Sequence, residues 1–295
     1  DAVIVGGGLI GVEMAEALTE RGCRVALVEM QPQVMNLLDW EMAKAVERHM
    51  AARGVRVLTD TAVQRIEGGD RVTGVVTSAG TLKADLVIMA VGVRPNAALA
   101  QSAGLEIGPT GAIRVDGGMR TSDPHVYAVG DCAEVRHLVT GRPCYAPLGS
   151  TANKQGRVAA VNICGGRDEF PGVLGSVVCR ILGFCVARTG LSEADARSAG
   201  HDVVTVLCPG PDRAHYMPTS QVVMLKLVVD KTSRRLLGVQ AVGPGDGAKR
   251  VDVAVAAITA GMTVDQIAKL DLCYAPPFAP AMDNLITAAD VARNK

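Results

Sequence analysis

Ala2-Val3-Ile4-Val5-Gly6-Gly7-Gly8-Leu9-Ile10-Gly11, followed by a helical run and then Val25-Ala26-Leu27-Val28-Glu29, is the stretch whose reading decides the fold. An apolar strand, a glycine turn, a helix and a second apolar strand make a βαβ unit. The glycine positions carry the reading. Gly6 permits the tight turn from strand to helix, Gly8 lets the backbone approach a pyrophosphate with no Cβ in the way, and Gly11 lets the helix lie close on the sheet. The helix presents its free N–H groups and positive dipole end to an anion. Glu29, at the end of the second strand and about 20 residues beyond the loop, is placed to accept hydrogen bonds from an adenosine ribose. A glycine-rich turn without a ligand is the competing reading, and the strand, helix and acid in these relative positions together count against it.

Working outward, 295 residues suffice for about two domains, and a 48% hydrophobic content can supply sizeable cores. The 30 basic residues balance the 30 acidic ones, no basic run stands out, and only 3% of the chain is aromatic. Neither a polyanionic partner nor stacking of single-stranded bases is favoured, so nucleic acid is excluded as a partner. No apolar run reaches the roughly 18 residues of a membrane span, and no signal peptide opens the chain, which makes the cytoplasm the expected location. The eight cysteines show neither a Cys-x-x-Cys nor the spacing of a zinc site, and no metal is expected. The chain opens at Asp1 directly in an apolar strand, so it reads as a piece cut from a longer polypeptide.

After Glu29, Trp40, Ala43, Val46 and Met50 recur at helical spacing up to Ala52, and Gly54 ends the run. Short alternating segments at 55–58, 62–66, 72–77 and 81–83 predict a small meander beside the parallel sheet, and the apolar run 84–92 predicts a strand buried on both faces. Residues 113–116 predict a short strand and 126–131 a buried strand ending in Asp131, with a ligand beyond its end. An ordinary turn aspartate is the competing reading of Asp131. Ser150 or Thr151 can cap a helix running to about Asn162. Residues 170–295 predict an α+β unit with strands near 176–182, 186–189, 202–207, 222–229 and 236–242, and helices near 192–199 and 249–260. Loops are expected at Pro209-Gly210-Pro211 and at Cys273-Tyr274-Ala275-Pro276-Pro277-Phe278-Ala279-Pro280.

The whole chain resembles the two-dinucleotide flavoprotein disulfide reductases, and within them the branch of coenzyme A disulfide reductases, NADH oxidases and persulfide or polysulfide reductases. The carriers are 5–13, Ala90-Val91-Gly92-Val93-Arg94-Pro95-Asn96, Thr121-Ser122-Asp123-Pro124 through Val129-Gly130-Asp131, Ala152-Asn153-Lys154-Gln155-Gly156-Arg157 and Tyr274-Ala275-Pro276-Pro277-Phe278. The last of these points to the branch. The resemblance implies an α/β fold: a Rossmann-like NAD(H)-binding domain at 1–112, the C-terminal portion of an FAD-binding domain at 113–168, and an α+β dimerisation domain at 169–295. It also implies that an FAD-binding half with its own glycine loop and the redox cysteine lies upstream, so no cysteine here is assigned a catalytic role.

Carried over residue by residue, Gly6, Gly8, Gly11 and Glu29 look like NADH ligands, with Leu9 and Ile10 of the same loop among the cofactor-binding positions. Glu13 and Gly92 look like the part of the site near the nicotinamide. Asp131 is similar to the aspartate that holds the ribityl chain of FAD. The helix after Pro147-Leu148 would aim its N-terminus at the flavin, where reduction develops negative charge. Many relatives carry a stacking tyrosine after the third glycine, and Leu9 departs from that pattern, which puts such gating in doubt here. Tyr274 and Tyr216, each in a proline-bearing loop, resemble tyrosines that reach a partner subunit's redox cysteine and act on the sulfur. The implied protein is a homodimer that passes hydride from NADH through FAD and a redox cysteine to a small-molecule disulfide, persulfide or polysulfide, coenzyme A disulfide among them. An NADH oxidase or peroxidase on the same scaffold, and a non-catalytic NAD(H)-binding module, are the alternatives.

Overall fold

In the computed structural model, which describes residues 1–295, the opening stretch forms β1 (Ala2–Val5), α1 (Leu9–Glu20) and β2 (Val25–Val28). Helix α2 (Trp40–Ala52) follows, then β3 (Arg56–Leu58), β4 (Val63–Gly68), β5 (Val72–Thr77), β6 (Gly80–Lys83) and β7 (Leu86–Met89). Strands β1, β2, β3 and β7 make a parallel sheet in the order β3-β2-β1-β7, while β4-β5-β6 form an antiparallel three-stranded sheet. Segment 55–58 therefore belongs to the parallel sheet rather than to the meander. A short apolar run specifies a strand and leaves its partner open.

Alternation along β1 sorts its side chains between two cores. Ala2 and Ile4, with Val25 and Leu27 of β2, pack against Val12, Ala15 and Leu18 of α1 and Met42, Ala43, Val46 and Met50 of α2. Val3, Val5 and Val28 pack against Val75 and Leu82 of the meander. Each such aliphatic side chain removed from water contributes about 1.5–3 kcal/mol before chain entropy is counted. Strand β7 departs from the expected doubly buried strand. It is an outermost strand, with Leu86 and Met89 exposed.

Residues 93–175 form a compact unit of their own, and residues 1–92 group with 176–295. The smaller unit holds α3 (Ala98–Ser102), a single 3-10 turn (Gly130–Cys132), the two-residue strands β8 (Val135–Arg136) and β9 (Pro143–Cys144), and α4 (Gly149–Ile163). The strands expected at 113–116 and 126–131 are absent as such. Ile113 makes isolated bridges to Ile107 and Ala133, and Tyr127 makes one to Arg120. Apolar character alone does not make a strand; each backbone N–H and C=O needs a neighbour to pair with. Leu148 occupies the N-cap position of α4 with no side-chain cap, so neither Ser150 nor Thr151 caps the helix.

From 176 onward the chain forms β10 (Val177–Ile181), β11 (Phe184–Gly190), α5 (Glu193–Ser198), β12 (Val203–Pro211), β13 (Val222–Asp230) and β14 (Leu236–Gly243). Helices α6 (Ala248–Thr259), α7 (Val264–Ile267) and α8 (Asn284–Arg293) complete it. The five strands pair antiparallel in the order β10-β11-β14-β13-β12. Pro209-Gly210-Pro211 lies in β12 rather than in a loop; β12 is an edge strand, where a missing N–H is tolerated. Val251, Ala254, Ala257 and Ile258 of α6 are buried, and Val253 and Val255 are half-buried.

The β10-β11 hairpin also closes over α1 and α2. Cys179, Ile181 and Val186 share the core of α1 and α2, and the His49 ring stacks on Phe184 at 4.4 Å. A polar cluster joins the same parts. Lys226, 2% exposed, lies 3.0 Å from Asp39, 2.6 Å from Glu41 and 3.0 Å from Glu193. Asp39, just before α2, also accepts from Gln240 Nε2 at 2.8 Å.

Candidate functional site

The C-terminal ends of the parallel strands open onto a cavity of about 510 Å³. This is where a ligand crevice falls in an open parallel sheet. The cavity brings together four of the expected residues: Gly6 after β1, Gly8 of the glycine turn, Glu29 after β2 and Gly92 beyond β7. Asn36, Thr61 and Ala62 also line it and were not singled out in the sequence. Thr61 follows the end of β3, so assigning 55–58 to the parallel sheet would have found it.

Gly6 has φ +107°, and a Cβ there would strike the carbonyl of Ala90. A Cβ on Gly11 would strike the carbonyl of Gly6, which is the close helix-to-turn approach that the spacing predicts. Gly8 differs: a Cβ there would meet no protein atom within 4 Å. Its lack of a side chain therefore clears space at the cavity rather than room for the protein. Gly8 is the N-cap of α1, no side chain caps that helix, and its first turn carries no acid. Its leading N–H groups are open to an anion.

Glu29 is 8% exposed. Its Oε2 accepts the Gly7 N–H at 2.6 Å and its Oε1 accepts the Gln31 N–H at 2.8 Å. The carboxylate thus braces the glycine turn, and each oxygen keeps a lone pair for a ribose hydroxyl. Leu9, Ile10, Gly11 and Glu13 do not line the cavity. Gly11 is buried beneath the turn, while Ile10 and Glu13 are exposed on α1.

In the unit 93–175, Asp131 lies exposed in the 3-10 turn, and Pro147 and Leu148 lead, half-buried, into the uncapped α4. Gln155, wholly buried, accepts the Gly130 N–H on Oε1 at 2.7 Å, while its Nε2 has no partner. Tyr145 Oη is likewise buried and unpartnered. Burial, followed by the charges of Asp131 and Cys132, raises the Tyr145 phenol above its ordinary value. Orphaned buried polar groups beside an uncapped helix fit a polar, negatively charged ligand such as a flavin. In the sequence Gln155 stands out only as part of the Ala152-Asn153-Lys154-Gln155-Gly156-Arg157 motif, and nothing there marks Tyr145.

Tyr216 and Tyr274 are 64% and 52% exposed. Their loops touch: the Ala214 N–H donates to the Pro276 carbonyl at 3.1 Å. The His215 ring lies edge-on to Tyr216 at 5.5 Å, and Phe278 is exposed nearby in sequence. All eight cysteines are free. Burial pushes the thiol of Cys144 up to about 11 and that of Cys179 up to about 12, which disfavours the thiolate.

The sequence model described as pyridine nucleotide-disulphide oxidoreductase matches residues 1–156, more than half of the chain. The chain belongs to this family. The dimerisation domain of the pyridine nucleotide-disulphide oxidoreductases matches residues 179–286. A protein of Pyrococcus abyssi named NAD(P)H sulfur oxidoreductase (CoA-dependent) is 44% identical over 99% of this chain, which spans 66% of that protein. An NADH oxidase of Methanocaldococcus jannaschii is 37% identical over 99% of the chain, again spanning 65% of the relative. The solved structure of an NAD-dependent persulfide reductase from A. fulgidus superposes with a TM-score of 0.97 at 50% identity, covering 99% of this chain and 55% of that one. The parallel sheet, glycine turn and five-stranded α+β sheet are thus those of a pyridine nucleotide-disulphide oxidoreductase. No helix is long and apolar enough to cross a membrane.

Proposed function

We propose that this chain is part of a cytoplasmic, homodimeric flavoprotein. It would take hydride from NADH and deliver the electrons, through FAD and a redox cysteine outside residues 1–295, to a small-molecule disulfide, persulfide or polysulfide. Coenzyme A disulfide is a candidate acceptor. Along the chain, 1–112 is assigned to NAD(H) binding, 113–168 to the FAD-binding domain and 169–295 to dimerisation. The carrying observation is the cavity at the strand ends, where Gly8 leaves open space and Glu29 is held by two backbone N–H groups.

Within this reading, the α1 N-terminus and the backbone of 8–11 bind the pyrophosphate, and Glu29 accepts from the adenosine ribose. Glu13 and Gly92 are assigned to the nicotinamide end. Asp131, Pro147, Leu148 and the N-terminus of α4 would hold the flavin, whose negative charge the uncapped N–H groups would stabilise. Bound FAD supplies the two-electron carrier between nicotinamide and sulfur. Tyr274 and Tyr216 donate a hydrogen bond or a proton to sulfur as it becomes a thiolate. The exposure of both phenols supports this assignment over that of buried structural tyrosines.

Oxygen as the acceptor is the second reading, favoured by the relatives named NADH oxidase. Separated half-reactions of the full-length protein distinguish the two. Flavin reduced by NADH should be reoxidised faster by coenzyme A disulfide or a persulfide than by air. Reoxidation by oxygen alone contradicts the sulfur reading.

A further inference from the structure

The two exposed tyrosine loops are tied to one buried cation. Arg250, in the first turn of α6, is 1% exposed. Its Nη2 donates to the Asp212 carbonyl at 2.6 Å, its Nη1 donates to the Asp246 carbonyl at 2.7 Å, and its Nε donates to Asp283 Oδ2 at 3.1 Å. Asp212 starts the segment that carries Tyr216, and Asp283 ends the segment that carries Tyr274. The Asp212 carboxylate extends the clamp by accepting the N–H groups of Gln221 and Asp246 at 3.0 and 3.1 Å. Asp283 Oδ1 accepts the Leu285 N–H at 2.9 Å, which locks the start of α8 to the same point. The Ala214 to Pro276 hydrogen bond then joins the loops beyond their stems.

We propose that Arg250 is a positioning residue that fixes the two tyrosine loops against each other and so sets the direction of Tyr274 and Tyr216. The acceptor role of those tyrosines rests on the function proposed above. A guanidinium suits this task because its planar fork serves two carbonyls and a carboxylate at once, and an ammonium cannot span the same three acceptors. Burial makes the arrangement sensitive, since a lost partner leaves a polar group unsatisfied.

The test uses the full-length protein carrying Arg250→Lys, Tyr274→Phe and both together. In Arg250→Lys, amide exchange should accelerate in both 212–220 and 273–283 and stay unchanged in β13 and β14. NADH reduction of the flavin should hold within about twofold while reoxidation by the sulfur acceptor slows roughly ten- to a hundredfold, the scale of a small misplacement at a reacting centre. In the double variant the two slowdowns should fall short of their product, because both changes act in part through the Tyr274 phenol. Exchange that rises in one loop only, or throughout the sheet, overturns the clamp, as do effects on reoxidation that multiply in full. Asp283→Asn, which keeps an acceptor and loses the charge, should give the same pattern more weakly and decides the question if Arg250→Lys does not fold. If Tyr274→Phe leaves reoxidation unchanged while both loops loosen in Arg250→Lys, the clamp is supported and the acceptor role of the tyrosine fails.

Discussion

Residues 1–92 and 93–175 both contain apolar segments that end at residues expected to hold a dinucleotide, yet they are built differently. In the first region β1 pairs with β2 and β7 on its two sides, and both oxygens of Glu29 are satisfied by backbone N–H groups. In the second, the segment ending at Asp131 finds a single bridge partner, while Gln155 Nε2 and Tyr145 Oη are buried without one. The first site is thus preorganised by its own backbone. The second holds polar groups whose desolvation no partner within the chain offsets.

The largest effect expected from this contrast is at Gly6. Gly6→Val places a side chain at φ +107° against the Ala90 carbonyl. The conformation alone costs about 1–3 kcal/mol, and because the turn must also shift to relieve the clash, NADH affinity by calorimetry should fall at least about a hundredfold. Undiminished binding would show that the turn is not held as described. Glu29→Ala comes next, because it orphans the N–H groups of Gly7 and Gln31. Each unsatisfied donor costs about 1–3 kcal/mol, so the melting temperature and NADH affinity should fall together. An unchanged melting curve would mean that the carboxylate does not brace the turn.

Gln155→Met sharpens the contrast from the other side. In the full-length protein it should weaken FAD retention about tenfold, the effect of losing one buried polar contact, and leave NADH affinity unaltered. A fall in NADH affinity instead would show that Gln155 serves the nicotinamide nucleotide rather than the flavin.

The smallest effect lies in the Lys226 cluster that props the start of α2. Burial pushes this ammonium toward neutrality, but Glu41, Asp39 and Glu193 outweigh it and raise its pKa. A folded value above the unfolded one means stabilisation that is complete below the ordinary lysine value of about 10.4 and lost as pH rises through the folded value. Denaturant stability should therefore fall above about pH 10 in the native sequence and lack that component in Lys226→Met. Equal alkaline slopes in the two proteins would remove the cluster from the account.

How much of this was legible in the sequence follows the same division. The opening βαβ unit and α2 carry strong local signals, namely short apolar runs, helical spacing and glycine punctuation, and they fold where those signals put them. What escaped depends on partners distant in sequence: the place of 55–58 in the parallel sheet, the failure of 126–131 to pair, and the edge position that lets prolines sit in β12. Helices α7 and α8 were missed although Thr263 with Gln266, and Asp283, are cap signals. Of the residues that line the cavity, Gly6, Gly8 and Glu29 are singled out by a motif with a mechanism and Gly92 only by the family resemblance. Thr61, Tyr145 and Arg250 are ordinary residues by composition, and only their burial and their hydrogen bonds, or lack of them, mark them out.

The central claim is that the cavity beyond β1, β2 and β7 is an NADH site keyed by Glu29, and a paired titration of NADH and NADPH at one ionic strength tests it most directly. A carboxylate beside the ribose accepts from a free 2′-hydroxyl and repels a 2′-phosphate, and Met30-Gln31-Pro32 supply no arginine to offset it. The account predicts NADH binding at least about tenfold tighter than NADPH, with the preference collapsing in Glu29→Gln. Comparable affinities for the two nucleotides in the native sequence would contradict it.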